Sequence, residues 1–463
     1  MVFSSLTFLF AFLPIALIGY YVLPKKLRIG FLLLISLVFY AWGEPLYVLL
    51  MVGSILVNWL FGLLIVRYPA QKKGWLIAST VLNLGLLVVF KYAGLLWDAV
   101  RWMAPAPLCD RTVSIRLPIG ISFFTFQIMS YVIDVYRGQA GAQRNPVVFG
   151  AYVSMFPQLI AGPIVRYVDI EAQLKEPSIS VTNFADGIRQ FVIGLAKKVL
   201  LANAFGQLWA EASAAPQSVG VLGAWVGLLA YTLQIYFDFS GYSDMACGLG
   251  AMLGFRFVQN FNYPYIADSV TDFWRRWHIS LSTWFREYVY IPLGGNRKGK
   301  ARQVVNLLIV WGLTGFWHGA SWNFLLWGLY FGVLLVFEKL VWERIAARLP
   351  RGVRHALTML TVMLGWCLFA LTDMGSLGTY LGALIGIGGG WISAKMAAWS
   401  LGFMPLLLVG AFAATPLGAK LAKRCEPFRW FPAAKLAALA VLFVLCIASL
   451  ASQSYNPFIY FRF

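Results

Sequence analysis

Long apolar runs separated by short basic loops recur along this chain, and they leave few folds open to it. Such runs begin near residues 5, 29, 46 and 74, resume near 118, 184, 218 and 322, and end with runs near 356, 401 and 432. In a bilayer every backbone N–H and C=O must be satisfied internally, so only helices and closed barrels span it. Apolar runs of about 20 residues fit helices, whereas barrel strands would show shorter segments alternating in polarity. Apolar residues make up 60% of the chain and charged residues only 12%, about half the charge of a soluble domain. The chain therefore reads as an all-α polytopic membrane protein, with about 10–12 transmembrane helices packed as one bundle.

The formal net charge of +19 is placed where it sets topology. Lys25, Lys26 and Arg28 close the first run, and Arg67, Lys72 and Lys73 the third. Arg297, Lys298, Lys300 and Arg302 form the densest cluster. With these loops cytoplasmic, the N-terminus, the loop at 97–117 and the C-terminus lie outside, although that loop holds Arg101, Arg111 and Arg116. No soluble basic domain is present to bind nucleic acid. The N-terminal run lacks a basic leader and reads as a retained span rather than a signal peptide. Pro146, Pro157, Pro163 and Pro177 break the stretch 145–183, which suggests re-entrant or interfacial elements. The segment 266–292 is too aromatic and charged to cross lipid and reads as interfacial helices, while 377–393 is expected to be re-entrant. The five scattered cysteines indicate neither disulfides nor a zinc site. No internal repeat is evident, so residues 1–463 form one expected domain.

Three stretches depart from lipid-facing composition. Tyr236–Asp244 carries Asp238, Asp244 and several hydroxyls, which must face protein or water. Asp272–Ser282 contains Trp274, Arg275, Arg276 and His278, and on one continuous helix Arg275 and Ser282 would share a face with His278. Gly315–Trp322, continuing to Asn323, holds Trp317 and His318. Only 15 residues, 303–317, separate His318 from the basic cluster, fewer than the roughly 20 that cross a bilayer. His318 is therefore expected within the membrane profile. An ionisable group there is costly and points to function, and imidazole is suited to proton transfer near neutrality.

Each stretch also has a bland reading. Either histidine fits a structural core role, the aspartates could neutralise nearby arginines, and the tryptophans fit an interfacial belt. Together they suit acyl transfer, in which a base takes the proton of an acceptor hydroxyl as it attacks a thioester. No GxSxG elbow, HExxH helix or phosphate-binding glycine loop occurs, so neither a covalent acyl-enzyme nor a metal is indicated. A buried polar midplane would equally serve a proton-coupled transporter or polysaccharide export component.

The Asp272–Ser282 and Gly315–Trp322 strings, with the ending Tyr455–Phe463, resemble the membrane-bound O-acyltransferase family. Met1–Ser5, Pro118–Phe123 and Phe156–Pro163 fit the same pattern, closest to membrane subunits of bacterial alginate O-acetyltransferases. The resemblance implies a bundle with interfacial helices around a funnel, with His318 catalytic and His278 a second, tunnel-lining position. It further implies a cytoplasmic thioester donor, acetyl-CoA in this branch, and no permanently bound cofactor. An extracytoplasmic partner acetyltransferase of SGNH-hydrolase type would act in a polysaccharide acetylation complex at the bacterial inner membrane. Trp274, Arg275, Arg276 and Trp317, with Asp238, Asp244 and Asn323, are expected as channel-lining or donor-contacting groups. The acceptor stays open among alginate, cellulose, peptidoglycan and other glycans, as does D-alanyl transfer to teichoic acid.

Overall fold

The structure, a computed structural model, describes residues 1–101, 115–160, 162–452 and 459. Cys109, Arg111, Ala161 and the tail motif Tyr455–Phe463, apart from Ile459, lie outside the described residues. Every regular element among the described residues is helical. Nine helices there are long and apolar enough to cross a membrane. They include Lys25–Gly43, Tyr47–Arg67, Pro69–Val100, Trp322–Ala346 and Arg351–Ala370, close to the runs read from sequence. Phe8–Val22 is a shorter apolar helix, and Ile121–Arg137 is buried over almost its whole length. The chain is an all-α, multi-pass membrane protein.

Two compact units are present: Met1–Phe191 with Ser243–Val258, and Val192–Tyr242 with Gln259–Phe463. In the first, Phe8, Phe12, Phe39 and Phe156 pack into an aromatic core. Asn58, Ser79 and Asn83 cross-link two of its helices, with Ser79 Oγ and Asn83 Nδ2 each donating to Asn58 Oδ1 at 2.7 Å. Such bonds between buried side chains hold membrane helices together where lipid supplies no hydrophobic drive. The proline-broken stretch forms three short helices, Pro146–Ser154, Phe156–Leu159 and Tyr167–Lys175; the backbone around Pro157 and Pro163 is buried in protein, whereas the segment around Pro177 is exposed.

Two readings are refined by the helices themselves. The polar Tyr236–Asp244 stretch lies inside one long helix, Pro216–Met252. That helix is broken near its start at Gly220 (φ 75°), where Gly390 O and Trp391 O accept the amides of Val221 and Leu222. Residues 272–282 are not one helix. Val270–Arg276 ends, Trp277 is extended, and Ile279–Phe285 begins after His278. The close spacing of Arg275, His278 and Ser282 survives because all three line one cavity.

Candidate active site

That cavity, of about 430 Å³, lies within the second unit. Its walls come from Val270–Arg276, Ile279–Phe285 and Lys300–His318, with the π-helical turns Arg286–Tyr290 and Glu338–Trp342. Extra-residue turns of this kind occur often at functional sites because they re-aim side chains. Here they carry Arg286, Tyr290 and Lys339 to the cavity.

His318 is placed by two helices in backbone contact. A Cβ on Gly315 would stand 2.4 Å from Phe324 O, and one on Gly328 2.3 Å from Trp311 O, so only glycine permits this crossing. Lys300–His318 then ends because Gly319 is extended. The His318 ring, 4% exposed, meets Trp327 at 4.9 Å and Phe369 at 5.1 Å between centroids, both edge-on. Trp317 lies 4.9 Å away on the same helix.

His278 is held differently. It caps the Ile279–Phe285 helix with φ 45°, and with Tyr263 it is one of two described non-glycine residues at positive φ. Such a conformation persists only where the surroundings over-determine it. Asn262 N–H donates to Arg276 O at 2.9 Å and Ile279 N–H to Asn260 O at 3.0 Å, pinning the turn from both sides. The Asn260 side chain adds three contacts through Oδ1: Ser280 N–H at 3.2 Å, Ser280 Oγ at 2.9 Å and His278 Nδ1 at 3.1 Å. The imidazole is 1% exposed and packs edge-on against Phe239 at 4.6 Å. Burial pushes its pKa down to about 3, so it is neutral at pH 7.

The rim is cationic. Arg275, Arg286 and Lys339 are exposed and line the cavity. Arg286 pairs with Glu287 at 2.9 Å. A buried carboxylate steadies the rim: Glu338 accepts the amides of Val270 at 2.7 Å and Thr271 at 3.1 Å. Those are orphan donors at the N-terminus of the helix that carries Trp274 and Arg275.

Of the residues expected from sequence, Trp274, Arg275, His278 and His318 meet at the cavity. Trp317 does not line it but touches both histidines. Arg276 turns away, pairing with Asp272 at 2.9 Å. Asn323 is fully buried at the start of the next helix; its Nδ2 donates to Leu368 O at 3.2 Å, and its Oδ1 accepts from Ser321 Oγ. Asp238 forms a buried ion pair with Lys198 at 2.6 Å and accepts Ile459 N–H at 2.8 Å. Asp244 belongs to the first unit and accepts from Gln190 at 3.4 Å. Asn260, Arg286 and Lys339 were not evident from sequence. Asn260 lies 18 residues from His278, and the arginine and lysine reach the cavity only through their π-turns. Among the described residues no three His, Cys, Asp or Glu side chains group as metal ligands, and Cys247, Cys367, Cys425 and Cys446 carry free thiols.

Comparison with known proteins extends these observations. Residues 140–374 match the membrane-bound O-acyltransferase family, and the match takes in both histidines and the cavity. The probable alginate O-acetylase AlgI of Pseudomonas putida is 39% identical, with both chains covered completely. The peptidoglycan O-acetyltransferase of Helicobacter pylori is 34% identical over 84% of this chain and 80% of its own. The teichoic acid D-alanyltransferase of Bacillus subtilis is 29% identical over 50% of this chain and 62% of its own. A family match over half the sequence, joined to a full-length relative and an all-helical membrane fold, makes this chain a member of the membrane-bound O-acyltransferase family and an O-acyltransferase.

Proposed function

We propose that the protein moves an acetyl group from cytoplasmic acetyl-CoA towards hydroxyls of an exported polysaccharide such as alginate, with His318 as general base. The observation that carries this reading is one cavity with two buried imidazoles in its wall and three cations at its rim. An exposed cationic rim suits the phosphates of a CoA thioester, and a water-poor wall suits proton transfer between neutral groups. The acceptor oxygen attacks the thioester carbonyl carbon as His318 takes its proton. The C–O bond forms, the C–S bond breaks, and the proton passes to the leaving thiolate. His278 orients the thioester or assists the base. A positioned histidine supplies about 10²–10⁴-fold.

The alginate O-acetylase relatives, at about 40% identity over the full length, favour a polysaccharide acceptor. In this reading an SGNH-hydrolase-like extracytoplasmic partner receives or delivers the acetyl group. The protein sits in the bacterial cytoplasmic membrane with both termini outside, His318 lies within the membrane profile, and residues 1–463 act as one functional domain. The peptidoglycan O-acetyltransferase relative supports a second acceptor class with the same donor.

The test is transfer from radiolabelled acetyl-CoA by purified protein in liposomes, with its partner and either alginate or peptidoglycan fragments. Wild-type protein should release CoA and label one acceptor, and His318→Ala should insert normally yet give no label. Labelling by His318→Ala, or wild-type activity with a D-alanyl carrier but not with acetyl-CoA, would sink the proposal.

A further inference from the structure

We infer that Asn260 is a positioning residue for His278: it fixes the tautomer that carries hydrogen on Nδ1 and a lone pair on Nε2. This rests on the proposed part of His278 in acyl transfer and assigns it a definite hydrogen-bonding role.

The inference starts from a donor whose direction is beyond choice. A backbone N–H only donates, and Ser280 N–H points at the Asn260 side chain from 3.2 Å. The amide atom facing it must therefore be the carbonyl oxygen. Turning the amide over would set its NH₂ against Ser280 N–H and remove the acceptor of Ser280 Oγ, 2.9 Å away. That same oxygen lies 3.1 Å from His278 Nδ1. Facing an acceptor, Nδ1 must carry the hydrogen, so in the neutral ring Nε2 holds the lone pair.

The rest of the amide shows how far the fold goes to keep this orientation. Asn260 is 2% exposed, yet its Nδ2 donates to no group among the described residues. Leaving a buried N–H₂ unsatisfied is unfavourable, and the other face of the amide would do no better without Ser280. The left-handed backbone of His278 and the paired backbone bonds at residues 260–262 hold the same register. Oδ1 is thus aimed at the ring by main chain on both sides.

A consequence follows for the chemistry. An imidazole locked with its lone pair on Nε2 accepts hydrogen bonds there and cannot donate to a thioester carbonyl without first gaining a proton. His278 is therefore an acceptor, for the incoming hydroxyl or an amide N–H of the donor's arm, and is not an oxyanion donor.

The experiment combines a direct reading of the tautomer with kinetics. The chain has three histidines, His278, His318 and His355, so ¹⁵N-histidine-labelled protein in nanodiscs gives a spectrum assignable by single substitutions. His278 should show a protonated Nδ1 and an unprotonated Nε2. In Asn260→Leu, nearly isosteric but without an acceptor, the tautomers should mix, and kcat should fall on the order of 10²-fold with KM for acetyl-CoA unchanged. Asn260→Asp keeps the acceptor and adds negative charge, so it should restore the lock and move the acidic limb of the kcat–pH profile upward. It also carries the test if the leucine variant does not accumulate. A wild-type Nε2–H tautomer, or an unaltered tautomer in Asn260→Leu, overturns the role of Asn260 whatever the protein transfers. A scrambled tautomer with wild-type transfer overturns instead the part of His278 in the reaction, and the positioning role with it.

Discussion

The ring of His278 lies 6.0 Å, centroid to centroid, from Trp317, the residue directly before His318. Trp317 is also 4.9 Å from the His318 ring. One indole therefore contacts two imidazoles that are 40 residues apart in sequence and set by different helices. Replacing it with leucine should let both rings shift. A misplacement of about 1 Å can cost about 10² in rate, so Trp317→Leu should lower kcat by roughly that factor, while Trp317→Phe should retain most activity. Steady-state kinetics on the two variants decides the point, and equal activity in both would show the indole to be mere filling.

The cationic rim makes a different prediction. Arg275 and Lys339 are exposed, and neither is held in an ion pair among the described residues. Exposed charges contribute about 0.2–1 kcal/mol each, so Arg275→Ala or Lys339→Ala should raise KM for acetyl-CoA a few-fold and leave kcat in place. The effect should shrink with added salt as screening grows. A salt-independent loss of kcat would move these residues from donor capture to the chemistry.

Gly328→Ala tests the helix crossing that delivers His318. The added methyl would stand 2.3 Å from Trp311 O, which is backbone and cannot swing aside. Overpacking of this kind costs about 1–3 kcal/mol. The variant should unfold at lower temperature in detergent and lose activity beyond its loss of folded protein. Gly312→Ala, on the partner helix Lys300–His318 with open space at its Cβ, is the control and should be neutral.

Acid should destabilise the fold through His278. Burial holds the folded-state pKa near 3, against about 6.5 in an unfolded chain. Between those values the unfolded state binds more protons, so stability falls as pH drops below about 6.5 and levels off near 3. Thermal midpoints measured from pH 7 to pH 5 should decline for wild type and decline less for His278→Gln. Identical slopes would place the acid sensitivity elsewhere.

The membrane-spanning helices were legible because their signal is local. A run of about 20 apolar residues has few alternatives in lipid, and Tyr47–Arg67 and Phe431–Ser452 lie close to their expected limits. His278 and His318 stood out because an imidazole in so apolar a chain is conspicuous, and the fold brings both to one cavity. The same reasoning singled out Asp238 and Asn323, which do not line that cavity and are bound in a buried ion pair and at a helix start. Cost alone does not separate a structural polar group from a catalytic one.

Sequence by itself determined the class: an all-helical membrane protein, its family, and the two histidines worth attention. Tertiary structure decided which residues meet. The break at Trp277–His278, the glycine-permitted crossing at Gly315 and Gly328, and the Asn260 contact all depend on groups distant along the chain. The physical reason is the range of the forces. Apolar transfer acts residue by residue and is written in composition, whereas hydrogen bonds and close backbone contacts exist only once the chain has brought their two partners together.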